Sequence, residues 1–139
     1  MRLLILGGTA FLSHAVAEFA VSAGHAVTCA ARGASGSVPD GARLIRWDRS
    51  AGGVPAELAE DEFDAVIDVA RDPEWVRAAT DAVRAGHWVF VSTISVYADV
   101  ARPGGPSDLP LLAPLFETGV PDSAAAYGAM KVACEQMVR

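Results

Sequence analysis

Apolar residues along this chain come in short runs rather than in strict alternation. Leu3 to Leu6, Ala26 to Ala31, Leu44 to Trp47, Asp64 to Val69 and Trp88 to Thr93 each read as a strand. Runs without alternation belong to strands buried on both faces, as in a parallel sheet. Between them the pattern switches to a helical period. Phe11 to Ala23 puts Leu12, Val16, Phe19, Ala20 and Ala23 on one face, and Gly24 stands just past its end. Val54 to Glu62 is a short, weaker helix. Asp72-Pro73-Glu74 opens another, with a capping carboxylate, a proline in the first turn and an acid near the positive end. That helix runs to Ala85 and stops at Gly86. Val100 to Pro121 holds five of the eight prolines and reads as a long surface loop. A last helix starts near Ser123 and continues to Arg139.

Strands that alternate with helices wind a parallel sheet through right-handed crossovers. The expected fold is α/β, a doubly wound parallel sheet of the Rossmann type with strand order 3-2-1-4-5. A single domain covers residues 1–139. Arg2 to Gly33 forms its opening strand, turn, helix and second strand.

Composition narrows the class. Apolar residues make up 52% of the chain and charged residues 20%, which suits a packed globular domain and not a disordered one. The net charge is -6 and no run of Lys or Arg stands out, so the sequence offers nothing to a nucleic-acid backbone. Cys29 and Cys134 stand alone, without metal-ligand spacing, and read as reduced thiols in a cytoplasmic protein. The run at Leu3 to Leu6 is broken by Gly7-Gly8-Thr9, then by His14 and Glu18, so it is no signal peptide. No stretch approaches the roughly 20 apolar residues that span a bilayer. His14, His25 and His87 are scattered and are given no chemistry.

The candidate chemistry lies at two places. Gly7-Gly8-Thr9 sits between a buried strand and a helix, where free N–H groups and the helix dipole favour a pyrophosphate. Gly7 permits the turn, Thr9 offers a hydroxyl, and small residues at Ala10 and Ser13 allow close approach. The second strand ends Ala30-Ala31-Arg32, with no acid for the ribose hydroxyls of NAD. Arg32 is placed to pair with a 2′-phosphate, which favours NADP, with NAD possible. Asp48, closing the third strand, is either an acceptor for the adenine amino group or a plain turn residue. Further on, Tyr127 and Lys131 are four apart and share a helix face. An ammonium beside a phenol stabilises the phenolate, which can then exchange a proton with a substrate oxygen while hydride moves on a nicotinamide. The fifth strand ends Val91-Ser92-Thr93, at the edge where ligands bind in such sheets. Thr93 is the chosen hydroxyl, with Ser92 and Ser95 behind it. Tyr97 lacks a lysine four residues on and reads as packing or cleft lining.

Taken together, Leu6 to Leu12, Ala31-Arg32-Gly33, Phe90 to Tyr97 and Tyr127 to Glu135 resemble the short-chain dehydrogenase/reductase superfamily, in its extended or atypical branch of NAD-dependent epimerase/dehydratase proteins. The resemblance implies Tyr127 as acid/base, Lys131 as its partner and ribose ligand, and Thr93 as the substrate-orienting hydroxyl. It implies cofactor contacts from Gly7, Thr9, Ala10, Phe11, Leu12, Asp48, Val69, Ala70 and Arg71. Ala10 and Ser13 depart from the usual G-x-x-G-x-x-G spacing, and Arg71 stands where glycine is frequent. Relatives continue through a small C-terminal substrate lobe, so a fragment of a longer protein is expected. The expected function is an NAD(P)-dependent oxidoreductase or epimerase/dehydratase acting on a small molecule, a sugar or another carbonyl or hydroxyl compound. A homodimer is expected in the full-length protein, and neither nucleic acid nor membrane as a partner. The alternative is a non-catalytic dinucleotide-binding or sensing module.

Overall fold

The computed structural model describes residues 1–99, 101, 103–104, 108–117, 119 and 123–139. Of the Pro-rich loop, Val100, Arg102, Gly105, Pro106, Ser107, Thr118, Val120 and Pro121 lie outside the described residues. Contacts divide the chain into two compact units. One is Met1–Val69 with Ala78–Val91, and the other is Ala70–Arg77 with Ser92–Arg139.

The first unit carries the sheet. Its strands are β1 (Arg2–Leu6), β2 (Ala26–Ala31), β3 (Arg43–Arg46), β4 (Glu62–Phe63), β5 (Ala65–Asp68), β6 (Arg84–Ala85) and β7 (Trp88–Phe90). The five-stranded sheet has the order β3-β2-β1-β5-β7, and every pairing in it is parallel. These are the five strands expected from the sequence, in the expected order, but the last stops at Phe90, and Thr93, expected at its end, instead caps the 3-10 turn at Ile94–Val96. β4 and β6, two residues each, pair with one another apart from that sheet and are additional to the expectation. Alternate residues of β1 face opposite cores. Leu4 and Leu6 pack with Ala30, Val66, Leu58, Ala79 and Val83, while Leu3 and Ile5 pack with Val27, Cys29, Ala17 and Ala20. Both faces of the sheet are thus covered, which explains why its strands read as unbroken apolar runs.

Helix α1 (Phe11–Ser22) packs on the second of these faces. Its buried residues are Ser13, Ala17 and Ala20, so the expected stripe is rotated. Phe19 is 76% exposed, and Leu12 and Ala23 are exposed as well. Small side chains let the helix approach the sheet closely, which a phenylalanine would prevent. The end of α1 follows expectation: Gly24 has φ 81°, Gly24 N–H donates to Val21 O and His25 N–H to Ala20 O. Helix α2 (Ala56–Glu60) is shorter than expected, and a 3-10 turn at Arg49–Ala51 precedes it. Helix α3 (Pro73–Ala82) starts as expected, with Asp72 Oδ1 accepting from Glu74 N–H at 2.9 Å. It stops three residues early because Arg84 and Ala85 are taken up by β6.

In the second unit, a 3-10 turn at Ile94–Val96 leads into an extended segment, where Tyr97 bridges Leu111 in antiparallel fashion. Ala98 N–H donates to Pro110 O, and Leu112 N–H to Val96 O. The described part of the Pro-rich loop is therefore tied down by backbone bonds. Helix α4 (Ala124–Met137) is capped by Ser123, whose Oγ accepts from Ala126 N–H at 3.1 Å. It ends at Met137 rather than running on to Arg139.

Candidate functional site

In the first unit the glycine turn is pressed onto its surroundings. Gly7 N–H donates to Ala30 O at 2.9 Å. A Cβ on Gly7 would lie 3.1 Å from Ser13 Oγ and 3.4 Å from Val69 Cγ2, so Gly7, Ser13 and Val69 meet here. Gly8 has φ 100°, and a Cβ on it would lie 2.5 Å from Cys29 Sγ. Only glycine fits both that conformation and that space. Cys29 lies beneath the turn, and burial pushes its thiol up to about 11.

Ala10 precedes α1 without a side-chain cap, and the first turn of the helix holds no acid. Its N-terminal N–H groups are therefore not bonded by a capping side chain. Ser13 Oγ turns back to donate to Ala10 O at 3.0 Å, so the residue in place of a motif glycine is satisfied locally. Phe11 takes φ 38°, a left-handed value rare for an aromatic residue, and is 96% exposed. Such backbone strain gathers at functional turns. The loop after β2 also approaches: a Cβ on Gly36 would meet Thr9 O at 2.8 Å.

At the carboxyl ends of β2 and β3 two arginines come together. Arg32 is exposed, and its carbonyl accepts from Arg46 Nη1 at 3.2 Å. The Arg46 guanidinium lies where a Cβ on Gly33 would come within 2.7 Å. Asp48 is exposed and caps the 3-10 turn, its Oδ1 accepting from Ser50 N–H at 3.0 Å and Ser50 Oγ at 2.5 Å. Those two bonds, with the charge of Arg32, hold the Asp48 carboxyl below the usual carboxylate range. Beneath this edge Asp68, fully buried, forms a fork with Arg49 at 2.9 and 3.0 Å. Arg46 and the Arg49–Asp68 pair were not singled out from the sequence. Asp68 did leave a trace there, as an acid inside an apolar strand.

In the second unit the acid/base candidates are assembled around α4. Gly128 is buried, and a Cβ on it would lie 2.0 Å from Ser95 O. The helix thus rests backbone to backbone on the 3-10 turn that follows Thr93. Thr93 Oγ1 accepts from Ser95 N–H at 3.2 Å and bonds Ser95 Oγ at 3.3 Å, capping that turn. Tyr127 is half-buried. Lys131, one turn further on, is 2% exposed, and its Nζ donates to Ala70 O at 2.9 Å. Ser92 is occupied otherwise: its Oγ donates to Glu135, which also pairs with Arg139. Ala70 is buried, and Arg71 beside it is exposed. The structure therefore brings Lys131 to Ala70, and the helix of Tyr127 to the turn of Thr93. Gly128 and Glu135 lie within the motif segment Tyr127 to Glu135, but the sequence assigns neither of them a role.

No family model matches the sequence, and no curated protein matches it. Solved structures do. A UDP-N-acetylglucosamine 4-epimerase from Bacillus cereus superposes with a TM-score of 0.69 at 24% identity, covering 98% of this chain and 47% of that one. An NAD-dependent NDP-hexosamine 5,6-dehydratase involved in tunicamycin biosynthesis gives 0.70 at 21% identity, covering 98% and 48%. A UDP-glucuronic acid 4-epimerase from Bacillus cereus, in complex with NAD, gives 0.69 at 16%, covering 99% and 51%. The chain has the fold of these two epimerases and this dehydratase. It spans about half the length of each. The resemblance read from the motifs is thereby met at the level of fold. Among the described residues no helix is long and apolar enough to cross a membrane, and no three His, Cys, Asp or Glu side chains gather to hold a metal.

Proposed function

We propose that this chain binds a nicotinamide dinucleotide and carries the acid/base residues of an epimerase/dehydratase-type oxidoreductase. The observation that carries the reading is the setting of Lys131: a buried ammonium one turn from Tyr127, on a helix seated against the turn of Thr93. A lysine is rarely buried without a task or a partner. Here we assign it the orienting of the Tyr127 phenol from one helical turn away.

The residues of the turn fit the dinucleotide. Gly7 and Gly8 let the turn lie tightly on Ser13 and Cys29 at the helix start, and α1 opens without a cap or an acid. We assign Gly7, Thr9, Ala10, Phe11 and Leu12 to the pyrophosphate, Asp48 to the adenine, and Val69, Ala70 and Arg71 to contacts further along the cofactor. Arg32 takes the 2′-phosphate of NADP, since no acid closes β2 to hold ribose hydroxyls. When bound, the nicotinamide accepts or returns a hydride. Tyr127 holds or moves the proton at its phenolic oxygen, Lys131 orients that residue from one helical turn away, and Thr93 orients the substrate oxygen. The substrate class is a small hydroxyl or carbonyl compound, with sugar nucleotides first because a UDP-N-acetylglucosamine 4-epimerase and a UDP-glucuronic acid 4-epimerase have this fold.

A second reading, a dinucleotide sensor without turnover, is favoured by Ser13, which bonds Ala10 O where the usual motif has glycine. One substitution separates the two. Tyr127→Phe in the full-length protein is expected to keep NAD(P)H affinity and to lower turnover of a sugar-nucleotide panel by at least ~10²-fold. Unchanged turnover would contradict the assignment of Tyr127, and no turnover by the unaltered protein would favour the sensor.

A further inference from the structure

Asp48 sits between two residues that are anchored inside the first unit. Trp47 is buried, and its indole Nε1 donates to Gly53 O at 2.6 Å. Arg49 stacks on the Trp47 ring, 5.2 Å from its centroid, and forks onto Asp68. Its side chain is 9% exposed and that of Asp68 0%. Asp48 alone of these points out. Asp68 is the last residue of β5, in register with Leu6 of β1, which immediately precedes Gly7. One carboxylate therefore ties the strand pair carrying the glycine turn to the turn carrying Asp48.

A buried ion pair is weak evidence for stability, because desolvating two charges offsets much of their attraction. Well-packed apolar residues often serve as well. What such residues lack is direction. Two parallel N–H···O bonds fix the plane of a guanidinium, and the Trp47 ring fixes it from a third side. We infer that the Arg49–Asp68 pair is a positioning device for the adenosine end of the nucleotide site: it sets where Asp48 stands relative to the glycine turn. The inference rests on the dinucleotide-binding reading above and names neither residue as a ligand.

The test uses two variants and two halves of the cofactor. Arg49→Met/Asp68→Leu removes both charges, and Arg49→Lys keeps the charge but loses the fork. Both are expected to melt close to the unaltered protein. Both are expected to bind ADP about tenfold or more weakly, with unchanged affinity for nicotinamide mononucleotide. If the double variant fails to fold, Arg49→Lys alone decides. Unchanged ADP affinity in a folded variant overturns the inference. An equal loss for both ligands does so too, because it reports general damage. Absence of ADP and NAD(P)H binding by the unaltered protein instead removes the underlying reading, and the inference with it.

Discussion

Gly128 shows how one missing methyl group shapes the second unit. A Cβ there would stand 2.0 Å from Ser95 O and 2.9 Å from Leu112 Cδ1. The carbonyl belongs to a turn capped by Thr93 and cannot retreat without breaking that cap. Gly128→Ala therefore forces α4 away from the turn and displaces Tyr127 and Lys131 together. Overpacking of this kind costs about 1–3 kcal/mol, to be read from urea unfolding. Alanine is otherwise the better helix residue by about 1 kcal/mol, so a stabilised variant would contradict the close packing. The sequence presents Tyr127 and Lys131 through their spacing. It hides the role of the glycine beside them, because a close approach is a property of two segments and not of one. Glu135 is hidden likewise: its partner Ser92 lies 43 residues away.

Among the elements, α1 separates what periodicity can and cannot tell. Its limits and its Gly24 terminus are legible, since capping is local chemistry. Its buried face is not, because several stripes are apolar enough and the distance to the sheet decides among them. Ala17 is fully buried and Phe19 is 76% exposed. Phe19→Ser is expected to change unfolding free energy by less than about 0.5 kcal/mol, as an exposed substitution does. Ala17→Leu should lower it by about 1–3 kcal/mol. The reverse order in a denaturation series would mean that α1 packs on its other face. The strands were legible for a different reason. Leu3 to Leu6 meets apolar neighbours above and below, so its composition alone marks burial on both sides. The pairs β4 and β6, two residues each, carry too little pattern to be seen.

For the molecule as a whole, the order of strands and the parallel winding follow from alternation of short apolar runs with helices, and solved sugar-nucleotide epimerases share the fold. The electrostatic organisation at the carboxyl ends of β2 and β3 was less legible. Arg32 and Asp48 could be placed at strand ends by counting, whereas Arg46 over Gly33 and Arg49 on Asp68 require the fold. We propose that the glycine turn and the arginine edge hold a nicotinamide dinucleotide. Fluorescence titration of the protein with NADPH and NADH tests it most directly. Saturable binding of both is expected, tighter for NADPH, with Arg32→Ala abolishing the preference while NADH affinity stays within about twofold. Binding of neither dinucleotide would contradict it.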